Sequence, residues 1–275
     1  MEQEPSGAIR GPGSGDDPIL SIRSLRNQFG NQIVHDNLDL DIYKGEIIGI
    51  VGGSGTGKSV LLRSIVGLNR PAAGTIRVFG QDLSSLPEAE RRTIERRWGI
   101  LFQDGALFSS LSVAQNIQVP MREHLRLPKD LMNEIAALKI GLVGLDASAG
   151  PKLPSELSGG MRKRAGLARA LALDPEIVFL DEPTAGLDPI GAAAFDSLIL
   201  ELRETLGFTV FMVTHDLDSL YTICDRIAVL AERRVLVTGS IDYIVNGDHP
   251  YADHPWIQDY FTGPRSRAAQ TARDG

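Results

Sequence analysis

Short apolar runs and longer stretches with helical spacing follow one another along this chain. Residues 19–25 and 33–43 alternate apolar with polar side chains, which predicts two half-buried strands around a polar turn at Gly30-Asn31. The apolar run at 46–51 predicts a buried strand, and the spacing over 60–68 predicts a helix after it. The same patterns predict strands at 75–79, 98–102, 177–180, 209–213, 226–230 and 233–238. They predict helices at 87–97, 161–173, 190–206 and 217–223, and a helical segment over 112–149 interrupted at Pro120 and Pro128.

The order of these elements indicates the class of fold. Strand and helix alternate from residue 177 to residue 230, which is typical of a parallel α/β sheet with crossover helices. The sequence contains no internal repeat, so we expect a single copy of this unit in the chain.

A glycine-rich stretch joins the predicted strand at 46–51 to the helix that follows. Glycines leave room for backbone N–H groups to point at phosphate oxygens, and the start of the helix adds further donors. A chance match in a structureless Gly/Ser loop is the alternative, but the flanking strand and helix favour a phosphate cradle. We expect Lys58 to reach the β- and γ-phosphates of a nucleotide and the Ser59 hydroxyl to bind Mg²⁺. The cradle, with the first residue after it, consists of Gly52, Gly53, Ser54, Gly55, Thr56, Gly57, Lys58, Ser59 and Val60.

A second apolar strand, predicted at 177–180, ends in two acids, Asp181 and Glu182. Ligands of open α/β sheets bind at this end of the strands. We expect Asp181 to bind Mg²⁺, through water, and Glu182 to polarise the water that attacks the γ-phosphate. The alternative is an acidic pair that caps a surface turn, but this is disfavoured after an apolar strand in a chain that also contains a phosphate cradle.

Composition and charge limit the range of functions. The chain has 43% hydrophobic residues and a net charge of −7, so bulk attraction to nucleic acid is not indicated. Two basic groups, 162–164 and the four arginines within 91–97, are interpreted as solvated helix faces. A single cysteine excludes an internal disulfide and suits a reducing cytosol. No apolar run approaches the roughly 20 residues that span a bilayer, so a membrane role would come through partners.

The motif Leu157-Ser158-Gly159-Gly160, followed by Met161, adds family information. With this motif the chain resembles the nucleotide-binding subunits of ABC transporters over most of 19–263. The resemblance implies an α/β P-loop NTPase core of RecA-like type, with an antiparallel β-subdomain and an inserted helical subdomain at about 104–172. From composition, residues 1–18, rich in Gly, Pro, Ser and acidic residues, are expected to form a disordered tail, and the Arg- and Ala-rich residues 264–275 a flexible one. Further motifs of the family match Phe29, Gln103, Gly186-Leu187-Asp188 and Thr214-His215-Asp216.

The resemblance also implies a role for each of these residues. Phe29 would stack on adenine, although it could instead be a core or loop aromatic. Gln103 would touch Mg²⁺ and communicate with the membrane subunit, and His215 would lie near the γ-phosphate. Gly186, Leu187 and Asp188 would form the D-loop. The turn formed by residues 157–160, called the Ser158 turn, would close over ATP held by a second copy. The family therefore implies a head-to-tail homodimer with two ATP molecules.

Two positions depart from the family pattern. Val60 replaces the usual threonine that helps to hold the α-phosphate, which we expect to weaken nucleotide binding modestly. Met161 replaces the usual glutamine after the Ser158 turn. Lys58, Asp181 and Glu182 are intact, so we expect an active ATPase.

The segments between the motifs resemble the Mla/Mce group of lipid-transport ATPases. The resemblance is carried by 102–108, 119–124, 154–161, 188–190 and 254–261. It implies two permease subunits, a periplasmic Mce lipid-binding protein, a small STAS-domain subunit and no nucleic acid. The subunit would lie at the cytoplasmic face of the inner membrane. Residues 102–108 would line a groove for a permease helix, and 248–261 could pack on their own chain or on a second copy.

Other functional classes stay open. The main alternative is an ABC importer or exporter of another small molecule. A soluble DNA-repair ATPase would carry a long coiled coil between the cradle and the Ser158 turn. Here about 100 residues separate Lys58 from Ser158, and they contain no heptad repeat. A ribosome-associated ABC protein would carry two ATPase units. A non-enzymatic ATP-sensing module is disfavoured because the catalytic residues are intact.

Overall fold

The computed structural model describes residues 17–262, which form two compact units. The first unit contains residues up to 87 and from 213 onward, and the second contains residues 88–212. The predicted tails, 1–18 and 264–275, lie outside the described residues except for Asp17 and Pro18. Among the helices within 17–262, none combines the length and the apolar character needed to cross a membrane.

The secondary structure agrees with the predicted alternation of strands and helices. The strands are β1 (Leu20–Phe29), β2 (Gln32–Ile42), β3 (Ile47–Val51), β4 (Ala73–Val78), β5 (Gln81–Asp82), β6 (Trp98–Leu101), β7 (Ile177–Asp181), β8 (Thr209–Val213), β9 (Arg226–Ala231) and β10 (Arg234–Gly239). The helices are α1 (Lys58–Ile65), α2 (Glu88–Glu95), α3 (Val113–His124), α4 (Lys129–Leu142), α5 (Gly159–Ala170), α6 (Pro189–Leu206), α7 (Leu217–Ile223), α8 (Ile241–Asn246) and α9 (Pro255–Thr262). Two short 3₁₀ turns span Ala147–Ala149 and Pro154–Glu156.

The first unit contains an antiparallel sheet with the strand order β2-β1-β4-β5. Strands β1 and β2 form a hairpin in which Phe29 pairs with Gln32 across the predicted turn. Leu20, Ile22 and Leu25 are buried, and polar side chains separate them, as expected for a sheet with one face against a core.

The first unit also contains parallel pairing. Strand β3 runs parallel to β9, and β10 pairs antiparallel with β9. All five residues of β3 are buried, which is typical of a parallel strand covered on both faces. Ile257 and Phe261 of α9 pack in one cluster with Val51 and Leu220. The segment after residue 248 therefore packs on its own chain, a point that the sequence left open.

The second unit carries β7 between β8 and β6, and β6 pairs parallel with β7. Strand β7 is buried at all five positions, and it ends at Asp181. Asp188 is the N-cap residue of helix α6, and the C-cap residue, Gly207, adopts the left-handed conformation with φ 73°.

One predicted boundary is wrong. We expected Pro120 to interrupt the helical segment, but Pro120 lies inside α3. The flanking side chains Ile117 and Met121 are fully buried, and their packing outweighs the hydrogen bond that proline removes. Pro128 does mark a boundary, because it is the N-cap residue of α4. The sequence patterns also missed β5, α8 and α9, which are short.

Candidate functional site

The predicted cradle lies between β3 and α1, as the sequence indicated. Lys58 Nζ donates to the carbonyl oxygens of Gly52 at 2.8 Å and Gly53 at 3.1 Å, so its ammonium lies over the loop. The Thr56 hydroxyl donates to Gly53 O at 2.9 Å and tightens the turn. With the backbone N–H groups at the start of α1 and a lysine ammonium, this loop has the donor set that a phosphate anion requires.

At two positions of the cradle, the neighbouring atoms leave no room for a side chain larger than that of glycine. Gly57 has φ 99°, and a β-carbon there would lie 2.5 Å from both His35 Nε2 and a Val34 methyl carbon. A β-carbon at Gly52 would collide with the Leu230 carbonyl oxygen. Side chains are therefore excluded where the loop must stay close to its support.

A buried polar chain supports the cradle from beneath. His35 is fully buried on β2, and its Nδ1 lies 2.9 Å from Asn27 Nδ2 on β1. Asn27 Oδ1 accepts from the Ser64 hydroxyl of α1 at 3.1 Å. Burial lowers the pKa of His35 to about 4, although hydrogen bonding to the backbone of Thr56 and Gly57 acts to raise it. The imidazole is therefore neutral at pH 7 and links two strands and a helix to the loop.

Helix α9 brings an aromatic side chain to the cradle. A β-carbon at Gly53 would lie 3.3 Å from Trp256 Nε1, so the indole borders the loop. Trp256 stacks on Tyr260 with ring centroids 4.5 Å apart and packs edge-on against Phe261. No sequence pattern assigns a role to Trp256, because it lies about 200 residues from the cradle along the chain.

The first unit holds two more predicted residues. The Phe29 side chain is 50% exposed at the end of β1, so it is not a core aromatic. His215 is exposed in the loop between β8 and α7. The preceding Thr214 donates its N–H to Ile50 O at 3.4 Å, which fixes this loop beside the strand that leads to the cradle.

The second unit contains the two predicted acids. Asp181 is 5% exposed at the end of β7. Glu182 leaves the strand with φ 52°, a left-handed conformation that a residue with a side chain rarely adopts. Its carbonyl oxygen accepts from Ala185 N at 3.2 Å. Strain of this kind occurs at functional sites, where the surroundings determine the backbone.

The interpretation of 162–164 as a solvated face is wrong for Lys163. This side chain is buried, and Nζ donates to Gln103 O at 2.8 Å and to Glu182 O at 3.0 Å. The neighbouring Arg162 donates to Leu157 O, and Arg164 donates to Val143 O. Lys163 therefore joins two of the predicted site residues, a role that a run of three basic residues on a helix does not reveal.

The Ser158 turn opens α5 as predicted. Ser158 is the N-cap residue, and its hydroxyl accepts from Met161 N at 3.3 Å. Leu187 of the predicted D-loop lies 3.9 Å from the position that a β-carbon would take at Gly160. Asp188 caps α6 by accepting from Gly191 N at 2.9 Å.

The segment after Gln103 is held by Asn116, which no sequence motif marks. Buried Asn116 donates to the carbonyl oxygens of Phe108, Leu111 and Ser112, and its Oδ1 accepts from Phe108 N at 2.7 Å. Gln103 is exposed, and the Phe108 side chain is 52% exposed. An exposed aromatic on a rigidly held loop is suited to contact with a partner.

The structure thus places the predicted residues in two groups. The cradle, Phe29 and His215 belong to the first unit, whereas Gln103, Asp181, Glu182, the Ser158 turn and the D-loop belong to the second. The predicted Mg²⁺ ligands are a hydroxyl, an amide oxygen and a carboxylate, which are the oxygen donors that this ion prefers.

Comparisons with known proteins agree with this set of motifs. A family model described as ABC transporter matches residues 35–185. The chain is 40% identical over 227 residues to the intermembrane phospholipid transport system ATP-binding protein MlaF of Haemophilus influenzae, covering 82% of this chain and 86% of that protein. It is 39% identical over 231 residues to the probable ribonucleotide transport ATP-binding protein mkl of Mycobacterium leprae, covering 84% of this chain and 66% of that protein. Among solved structures, the dimeric post-hydrolysis state of the ATP-binding cassette MJ0796 bound to ADP and Pi gives a TM-score of 0.73 at 28% identity, covering 80% of this chain and 98% of that one.

Proposed function

Because the chain belongs to the ABC transporter family as an ATP-binding subunit, we propose that it hydrolyses ATP to drive the transport of phospholipids or related lipids across or between the membranes of a Gram-negative envelope. The observation that carries the lipid assignment is the 40% identity to a phospholipid transport ATP-binding protein over 86% of that relative. The ATPase assignment is supported by Lys58 at the start of α1 and by Asp181 and Glu182 at the end of β7, where the sequence predicted them.

The cofactors in this proposal are ATP and Mg²⁺. Backbone N–H groups of the cradle and the Lys58 ammonium would hold the phosphates, and Phe29 would stack on the base. Ser59, Gln103 and Asp181 would bind Mg²⁺, which neutralises charge on the phosphates when bound. Glu182 would take the proton of the attacking water, and His215 would donate its ring N–H to a phosphate oxygen.

The working unit in this proposal is a head-to-tail homodimer. The Ser158 turn presents helix N-terminal donors but has no lysine of its own, so it would complete a phosphate site held by another chain. The similar MJ0796 cassette is dimeric and carries ADP and Pi. ATP would favour the closed pair because it contacts both chains, and hydrolysis would release them.

The partners in this proposal are two permease subunits, a periplasmic Mce lipid-binding protein and a small STAS-domain subunit. The chain would bind the permeases from the cytoplasmic face of the inner membrane. Phe108 and Gln103 would contact a permease helix, since both are exposed. The Asn116 hydrogen bonds would keep this loop in one shape for that contact.

An ABC transporter for a different small molecule is the second candidate. It is favoured by one observation, the 39% identity to a probable ribonucleotide transport ATP-binding protein. The nucleotide-binding subunit would be almost unchanged between the two candidates, since the cargo would contact the permeases and not this chain.

The test is to purify the chain with its membrane partners and reconstitute the complex in vesicles that contain fluorescent phospholipid. We expect ATP-dependent transfer of the lipid to acceptor vesicles, and loss of transfer with Glu182→Gln. Equal transfer with and without ATP, or selective transport of nucleotides by the same vesicles, would contradict the lipid assignment.

A further inference from the structure

Lys163 lies at the meeting point of three segments of the second unit. Its ammonium comes from α5, which begins with the Ser158 turn, and donates to the backbone of Gln103 and of Glu182. The residue is 6% exposed. Burial lowers the pKa of Lys163, while Asp104, Glu182 and Asp181 act in the opposite direction. Placing a cation inside a protein is costly, so a residue of this kind needs an explanation beyond the filling of space.

The contact with Glu182 acts on a strained backbone. With φ 52°, Glu182 adopts a conformation that costs roughly 1–3 kcal/mol for a residue with a side chain. Its carbonyl oxygen is held from two directions, by Ala185 N and by Lys163 Nζ. These donors fix the peptide from which the Glu182 carboxylate extends, so they determine where that carboxylate can point.

The contact with Gln103 is one of several that bind its loop to α5. Arg169 donates to the carbonyl oxygens of Gly105 at 2.8 Å and Ala106 at 2.6 Å. A β-carbon at Gly166 would lie 3.0 Å from Gly105 Cα, so the two backbones are in close contact. Helix α5 and the loop from Gln103 to Ala106 are therefore held together along two turns of the helix.

We propose that Lys163 is a positioning residue that transmits the position of helix α5 to the Glu182 peptide. The proposal rests on the proposed function, in which the Ser158 turn closes over ATP held by the second copy. When that ATP holds the start of α5, Lys163 holds Glu182 of the same chain in its active orientation. Loading of one nucleotide site thereby sets the hydrolytic competence of the other, which produces cooperativity between the two sites.

The competing explanation is that Lys163 only stabilises the fold. Lys139 provides a matched control, because it is a second buried lysine of the same unit, and it pairs with Asp174. It is not among the site residues. Lys139→Met and Lys163→Met make the same chemical change, so they separate loss of a buried ammonium from loss of the contacts to Gln103 and Glu182.

The experiment measures ATP hydrolysis, ATP affinity and melting temperature of the full-length chain with its partners. For Lys163→Met we expect kcat to fall roughly 10- to 100-fold, as for a misplaced catalytic group. The Kd for ATP should change by less than about twofold, and the Hill coefficient should fall towards one, because ground-state binding does not use Glu182. Lys163→Arg should recover part of kcat and of the Hill coefficient. Lys139→Met should lower only the melting temperature.

Lys163→Gln serves as the second variant if Lys163→Met does not fold, since an amide N–H can donate to one of the two carbonyls. For this variant we expect an intermediate kcat and a reduced Hill coefficient. A folded Lys163 variant with wild-type kcat and Hill coefficient would overturn the inference and leave the ATPase assignment intact. A wild-type protein that neither binds nor hydrolyses ATP would instead overturn the proposed function itself.

Discussion

The Nδ1 atom of His35 lies 2.9 Å from the side-chain amide nitrogen of Asn27, and the two residues sit on neighbouring strands beneath the phosphate cradle. With Asn27 as the donor, Nδ1 accepts and the ring proton is on Nε2, which faces the backbone of the cradle. A neutral imidazole at this position makes the support of the cradle dependent on pH.

The first prediction concerns acid sensitivity. The pKa of His35 is about 4 in the folded protein and about 6.5 when unfolded, so protons bind the unfolded chain first as the pH falls. Stability from neutral His35 is present above pH 6.5 and is lost as the pH falls from 6.5 to 4, by about 3 kcal/mol in total. Thermal melts across this range should show the loss, and His35→Phe should reduce it.

The same variant has a cost at neutral pH. His35→Phe leaves Asn27 Nδ2 without its acceptor, which should lower the free energy of unfolding by about 1–3 kcal/mol at pH 7. His124→Gln, at the end of α3, is the control for removal of a histidine elsewhere. A pH dependence that is the same in wild type and His35→Phe would contradict the account.

The second prediction concerns Val60, where the family usually has threonine. Val60 lies in the first turn of α1 and is partly exposed, so a threonine of nearly equal volume fits without repacking. Val60→Thr adds a hydroxyl donor for the nucleotide phosphates, which should lower the Kd for ATP by about three- to tenfold. Titration with a fluorescent ATP analogue measures this change. Val60→Ala adds no donor, so equal gains in the two variants would argue against a hydrogen bond.

The third prediction concerns Trp256, whose indole borders Gly53. Nucleotide phosphates in the cradle should change the polarity and charge around this ring and hence its fluorescence. The chain has two tryptophans, and Trp98 is buried against Phe179 in the other unit. Trp256→Phe should abolish the ATP-induced change in emission, while Trp98→Phe should keep it. Persistence of the signal in Trp256→Phe would exclude Trp256 as its source.

The fourth prediction tests whether each nucleotide site uses two chains. Lys58→Ala removes the cradle lysine and Ser158→Ala removes the turn hydroxyl, so each variant alone should be inactive. Mixed dimers contain one intact composite site, so a mixture should form dimers with ATP and recover at most roughly a quarter of the wild-type ATPase rate, less if hydrolysis at one site requires ATP at the other. Melting temperatures control for the N-cap of α5, whose loss costs about 1 kcal/mol. A mixture of folded variants that does not form dimers with ATP would count against a shared site.

The periodic patterns predicted most of the strands and helices, because the spacing of apolar residues that buries one face of an element is a local property of the sequence. The alternation at 19–25 and the apolar run before Gly52 both became strands. Pro120 was misjudged, because local propensity takes no account of the packing that Ile117 and Met121 contribute.

The supporting residues of the site were not predictable in the same way. Lys163 looked like part of a solvated basic run, and only the folded chain places Glu182 and Gln103, 19 and 60 residues away in sequence, around its ammonium. His35 likewise depends on Asn27 and on the cradle. Motif residues carry a sequence signature, whereas the residues that hold them depend on tertiary contacts.

The central claim is that Glu182 drives ATP hydrolysis at a site completed by a second copy of the chain. Glu182→Gln keeps the size of the side chain and removes the proposed base, so ATP should bind but not react. The most direct measurement is the oligomeric state of Glu182→Gln with ATP and Mg²⁺, by light scattering, together with its rate of phosphate release. The account predicts a stable dimer that forms only with ATP and releases almost no phosphate. Phosphate release at the wild-type rate, or a monomer at saturating ATP, would contradict it.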